Sequence, residues 1–139
     1  MSASAFSVVH WCVLVAAIMP VVCAGMAKSH GIGKPVQDGG YDNAMPRRWL
    51  SDQTGWRARA NAAQANCFEA LPFFIGALAL AQQAGADAAR LDTLALLFVG
   101  LRLVYVALYV SDRANARSLV WTLAVATNIA ILFSGATAA

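Results

Sequence analysis

Charge is scarce in this chain: 12% of its 139 residues are Asp, Glu, Lys or Arg, while 60% are hydrophobic. An ordinary soluble domain carries about twice that charged share, so a membrane protein is the first reading. The excess of ten basic over seven acidic side chains is scattered between apolar runs. That excludes a nucleic-acid face and reads instead as charge that sets membrane topology. Histidine is limited to His10 and His30, without a second imidazole at ligand spacing, and no metal site is expected. The three cysteines, Cys12, Cys23 and Cys67, each lie in an apolar segment with no zinc or redox spacing. Cys12 and Cys23 would stand roughly 16 Å apart along one helix, too far to bridge. All three are read as packing residues. Internal repeats and low-complexity tails are also missing.

What remains is four apolar segments and one polar loop. The first span is predicted from about Ala5 to Ala27, with Pro20 in its second half. No positive charge precedes it and its length exceeds a signal-peptide core, so it is expected to be retained. The sequence from 28 to 52 is rich in Gly, Pro and polar residues and reads as a cytoplasmic loop. Ser51, Asp52 and Thr54 are candidate caps for a second helix from about Trp56 to Gln83. Its first half is rich in Ala, which lets neighbouring helices approach closely. A third span is predicted over about Leu91 to Val110 and a fourth over about Arg117 to Phe133, giving an all-α, four-helix membrane bundle. Eight of the ten basic residues fall on one side, in the long loop, at the start of the second helix or at the connection between the last two spans. With an even number of spans this places both termini outside the cytoplasm.

Two of these spans carry polar side chains where lipid should forbid them. On the second, Asn66 and Glu69 are three apart and share a face with Arg59, seven residues before Asn66. A carboxylate inside a span costs roughly 2.5 to 3.5 kcal/mol on an insertion scale, so it marks a functional site and needs a partner. On the third, Arg102 lies near mid-bilayer, and Tyr105, Tyr109 and Arg113 follow on the same face at plus three, plus seven and plus eleven. One explanation is structural: Glu69 and Arg102 form an ion pair that lets both be buried. The other is a polar pocket between the two helices, open to the cytoplasm, that holds a small anion. Asn66 and the two tyrosines exceed what an ion pair needs.

The order Asn66, Glu69, Pro72, Phe73, Phe74 on the second span, with Arg102, Tyr105 and Tyr109 on the third, resembles the MAPEG family, the membrane-associated proteins in eicosanoid and glutathione metabolism. The resemblance covers most of the chain. It implies a homotrimer of four-helix bundles, in a bacterial-type member a protein of the inner membrane, with glutathione as co-substrate near the cytoplasmic face. It further implies that Asn66, Glu69, Tyr105 and Tyr109 hold glutathione and that an Arg near the start of the fourth helix stabilises its thiolate. Counting on from the tyrosines lands on Ala116, so Arg117 is taken for that role, with Arg113 as the alternative. A guanidinium that lowers a thiol from about 8.5 by about two units supplies roughly 2.7 kcal/mol. The activated sulfur would attack a lipophilic electrophile or reduce a hydroperoxide.

One position departs from the pattern. Glutathione-using members of the family carry an Arg four residues before the motif Asn, and here that residue is Ala62, with Arg59 one turn earlier as a substitute. The alternative reading is a non-catalytic member that keeps the fold and binds lipid or a membrane partner.

Overall fold

The computed structural model describes residues 6–137, and among them all regular structure is helical. Five α-helices follow in order: α1 (Val8–Lys28), α2 (Pro46–Ser51), α3 (Gly55–Gln83), α4 (Ala88–Val110) and α5 (Ala114–Leu132). The expected start of the first span at Ala5 lies outside the described residues. Three helices, α1, α3 and α4, are long and apolar enough to cross a membrane. The 19-residue α5 is not among them, since Asn115, Arg117 and Asn128 dilute its apolar content.

Helix ends follow local chemistry. Ser7 and His10 close the start of α1, with Ser7 Oγ 2.8 Å from His10 Nδ1. α4 begins three residues before the expected Leu91 because the Asp87 carboxylate accepts from the Arg90 amide at 2.9 Å. α5 likewise starts at Ala114, before the expected Arg117, after a tight turn in which Asp112 adopts φ 61°. Thr54 is the residue that precedes α3, without a side-chain cap. Of the other two cap candidates, Ser51 donates to the Arg48 carbonyl at 2.7 Å and Asp52 closes α2.

The loop from 28 to 52 is more ordered than its composition suggests. Pro46 opens α2, where its missing N–H costs nothing. α2 exists because Leu50 has somewhere to go: it packs with Ala27 of α1 and Ala60 of α3. Tyr41 meets Trp49 edge-on at 5.3 Å, and the Lys28 ammonium sits 4.7 Å from the Tyr41 ring centre. A side chain at Gly40 would strike the Lys34 carbonyl, so only glycine permits this closure.

α3 is the central element, touching α1, α4 and α5. Its buried alanines, Ala60, Ala63, Ala77 and Ala81, let its neighbours approach closely. The main core centres on Phe74 of α3 stacked against Phe98 of α4, centroids 4.2 Å apart and planes 18° apart, with Leu91 and Ile131 beside them. This layer holds α3, α4 and α5 at a fixed spacing. The polar residues of α3 and α4 are thereby set against each other, Arg102 one turn beyond Phe98 and Asn66 about two turns before Phe74.

Candidate functional site

Arg102 is the fixed point of the site. It lies inside α4 and is buried to 2% of its surface, where an uncompensated guanidinium would cost several kcal/mol. Its Nη2 donates to Asn66 Oδ1 at 2.8 Å and to Cys67 Sγ at 3.5 Å. Asn66 in turn donates from Nδ2 to Glu69 Oε2 at 3.3 Å. The expected Glu69–Arg102 ion pair is therefore replaced by a relay in which the Asn66 amide stands between the two charges. The cause is helical geometry: Asn66 lies on the stripe facing α4, while Glu69 is exposed on the isolated chain.

The tyrosines continue the line from Arg102 along α4. The Arg102 guanidinium lies 4.2 Å from the Tyr105 ring centre, Tyr105 meets Tyr109 edge-on at 5.6 Å, and the Arg117 guanidinium of α5 lies 4.2 Å from the Tyr109 ring centre. Two cations thus bracket two aromatic rings, each held by the negative face of its neighbour. Asn66, Tyr105, Tyr109 and Arg117 line one cavity of about 420 Å³, closed on the α5 side by Ser118, Trp121 and Thr122. Four of the residues singled out from sequence therefore meet in one place.

A second cavity of about 210 Å³ adjoins it and shares Asn66 and Trp121. Glu69, Phe73, Phe98, Arg102 and Asn128 complete its polar and aromatic lining. Arg102 Nη1 and Asn128 Oδ1 are buried there without a hydrogen-bond partner. Each such atom costs about 1 to 3 kcal/mol. A donor and an acceptor left open in one cavity suit a ligand that carries both kinds of group.

Two predicted residues fall elsewhere. Arg59 donates from Nε to the Val110 carbonyl at 3.0 Å and places Nη1 3.9 Å from Asp112 Oδ2. It closes the C-terminus of α4, whose last carbonyls lack partners within the helix, and lines neither cavity. Arg113 precedes α5, exposed, and lines neither cavity. Ala62 itself lines a separate cavity of about 530 Å³ on another side of α3, where Arg47 of α2 supplies a guanidinium.

Trp121 and Asn128 were not legible as site residues, because α5 reads as a plain apolar span. Cys67 was read as packing only, yet its sulfur accepts from Arg102 and it shares a buried cluster with Cys23. Its adjacency to Asn66 was the available signal. Comparison with curated proteins and with solved structures found no match. The model of the MAPEG family matches residues 8–137, nearly the whole chain, and the protein belongs to the MAPEG family.

Proposed function

We propose that the protein is a membrane glutathione transferase or peroxidase that acts on lipophilic electrophiles or hydroperoxides. One observation carries this reading: Asn66, Tyr105, Tyr109 and Arg117 line a single cavity of about 420 Å³, adjoining one that holds Glu69 and the open Nη1 of Arg102. Glutathione carries two carboxylates, an ammonium and amide groups. Arg117 and Arg102 suit the carboxylates or the thiolate, Glu69 suits the ammonium, and Asn128 Oδ1 suits an amide N–H. In this reading Arg117 sits beside the sulfur and favours its anionic form. The thiolate then attacks a substrate that arrives from the bilayer.

The same reading makes α5 a fourth span. At about 1.5 Å per residue its 19 residues reach about 28 Å, close to a hydrocarbon core. It also makes the protein a homotrimer in a bacterial inner membrane, both termini outside the cytoplasm. Glu69 supports assembly: it stands midway along α3 and is exposed on the single chain, a position that lipid disfavours and a second subunit could cover. The Arg47 guanidinium beside Ala62 is the candidate replacement for the charge that glutathione-using relatives carry on this helix.

Calorimetric titration of glutathione into the detergent-purified protein tests this. The wild type is expected to bind, and Arg117→Ala to bind about 10- to 100-fold more weakly, the loss of one charge-assisted contact. Ala62 favours a second reading, a non-catalytic member that binds lipid or a membrane partner. Absence of glutathione binding by both the wild type and Ala62→Arg would select it.

A further inference from the structure

Beyond the polar relay, the chemistry left unexplained is that of sulfur. Cys23 of α1 and Cys67 of α3 share one buried cluster with Met19 and Ala63, at 0% and 4% exposure respectively. Met19 lies one turn before Cys23 and Ala63 one turn before Cys67, so two helix faces meet across a small residue. The cluster is small, so the two cysteines are near neighbours across the contact of α1 with α3. Cys67 Sγ also accepts from Arg102 Nη2 at 3.5 Å. A packed core needs neither two thiols in one small cluster nor a guanidinium aimed at one of them, and ordinary buried cysteines have no such neighbours. Cys12, also buried, lies apart in the main core.

Cys23 has a second contact. It lines an apolar groove of about 470 Å³ between α1 and α4, together with Ile18, Val22, Leu103 and Val106. Ile18, Val22 and Leu103 are each about half exposed, so the groove opens sideways, toward lipid in a membrane. The thiol pair therefore lies between an apolar entrance and the polar relay of Arg102, Asn66 and Glu69.

We infer that Cys23 and Cys67 form a redox-active dithiol that reduces a lipophilic hydroperoxide entering the groove between α1 and α4. The step balances without another reagent. The sulfur of Cys23, the cysteine that lines the groove, attacks the distal oxygen of the hydroperoxide as the groove opens to it, and the O–O bond breaks. The alkoxide leaves with the Cys23 thiol proton as an alcohol, and Cys23 becomes a sulfenic acid. The Cys67 sulfur then attacks the Cys23 sulfur, with the Arg102 guanidinium as counter-charge. Hydroxide leaves with the Cys67 proton as water, and a disulfide joins α1 to α3. Two thiols are oxidised and one hydroperoxide is reduced. With both thiols in one buried cluster, a bond of about 2.05 Å closes across the contact of α1 with α3. The inference is independent of glutathione, since the first turnover uses only the protein's own thiols.

The test is to treat the purified full-length protein with cumene hydroperoxide, without glutathione, and then count free thiols after denaturation. Peptide mapping identifies what joined. Loss of two of the three thiols with a Cys23–Cys67 cross-linked peptide, and the same result in Cys12→Ser, is the expected outcome. In Cys67→Ser, dimedone should label Cys23. Because the decisive measurement is made on the wild type, misfolding of a variant does not obscure it. Retention of all three thiols by the folded protein, while the denatured protein loses them, would overturn the inference. So would a disulfide formed only between subunits or through Cys12.

Discussion

Asn66, not Glu69, should be the residue on which Arg102 depends, and the two can be separated by substitution. Asn66 Oδ1 accepts from the buried guanidinium at 2.8 Å, a short charge-assisted bond. Asn66→Ala removes that acceptor and leaves Arg102 with the Cys67 sulfur at 3.5 Å as its one hydrogen-bond acceptor, beside the Tyr105 ring. The expected loss is about 1.5 to 3 kcal/mol for the bond, with the desolvated cation unable to recover it from water. Glu69 has a longer contact, 3.3 Å from Asn66 Nδ2, and is exposed. Glu69→Gln preserves an acceptor there, so its cost should be below about 1 kcal/mol. Unfolding of each variant in mixed micelles of dodecyl maltoside and SDS, followed by tryptophan fluorescence, gives the comparison. If Glu69→Gln proved as destabilising as Asn66→Ala, a direct carboxylate–guanidinium pair would be holding the site and the amide relay would be wrong.

Other residues give independent checks. Arg59→Ala should cost about 1 to 2 kcal/mol by opening the end of α4, while glutathione affinity measured by calorimetry stays within about twofold, inside the error of a contact that is not made. Phe98→Ala should cost about 3 to 5 kcal/mol in the same unfolding assay, since it removes one of two stacked, fully enclosed rings and leaves a cavity. His30, in the loop, is held below its ordinary 6.5 by Lys34, whose Nζ lies 3.3 Å from His30 Nε2, and secondarily by Arg57. The folded state thus binds a proton less readily than the unfolded chain. Its small stabilising effect is present above about pH 6.5 and is lost as pH falls through the lowered value. A proton NMR titration should place the His30 midpoint below 6.5, moving upward in Lys34→Ala.

The helices were legible because apolar length is a strong signal, and the family was legible because Asn66, Glu69, Pro72, Arg102, Tyr105 and Tyr109 recur at fixed intervals. Distance between helices was not. Spacing along a helix says that Asn66 and Glu69 share a face, but not which of them reaches Arg102; the packing of Phe74 on Phe98 decides that. The partner of Arg59 was hidden for a similar reason. Arg59 lies on the right face, but its long side chain finds the open carbonyls of α4 nearer than any pocket. α2 escaped notice because Gly and Pro dominate the sequence around it, and its one buried anchor, Leu50, has no periodic companion. Cys23 and Cys67 are separated by 43 positions and by the whole polar loop. Only the docking of α1 on α3 shows that they are neighbours.

The amide between Glu69 and Arg102 also decides what kind of ligand the site can prefer. Had the two charges met, each would have been spent on the other, and the cavity would have been electrically silent. Asn66 spans them with one acceptor and one donor, so the carboxylate and the guanidinium remain separate poles with bonding capacity in hand. A site built in this way discriminates by dipole. It should hold a zwitterion in one orientation only, and it should resist molecules of a single charge sign, which would satisfy one pole and confront the other.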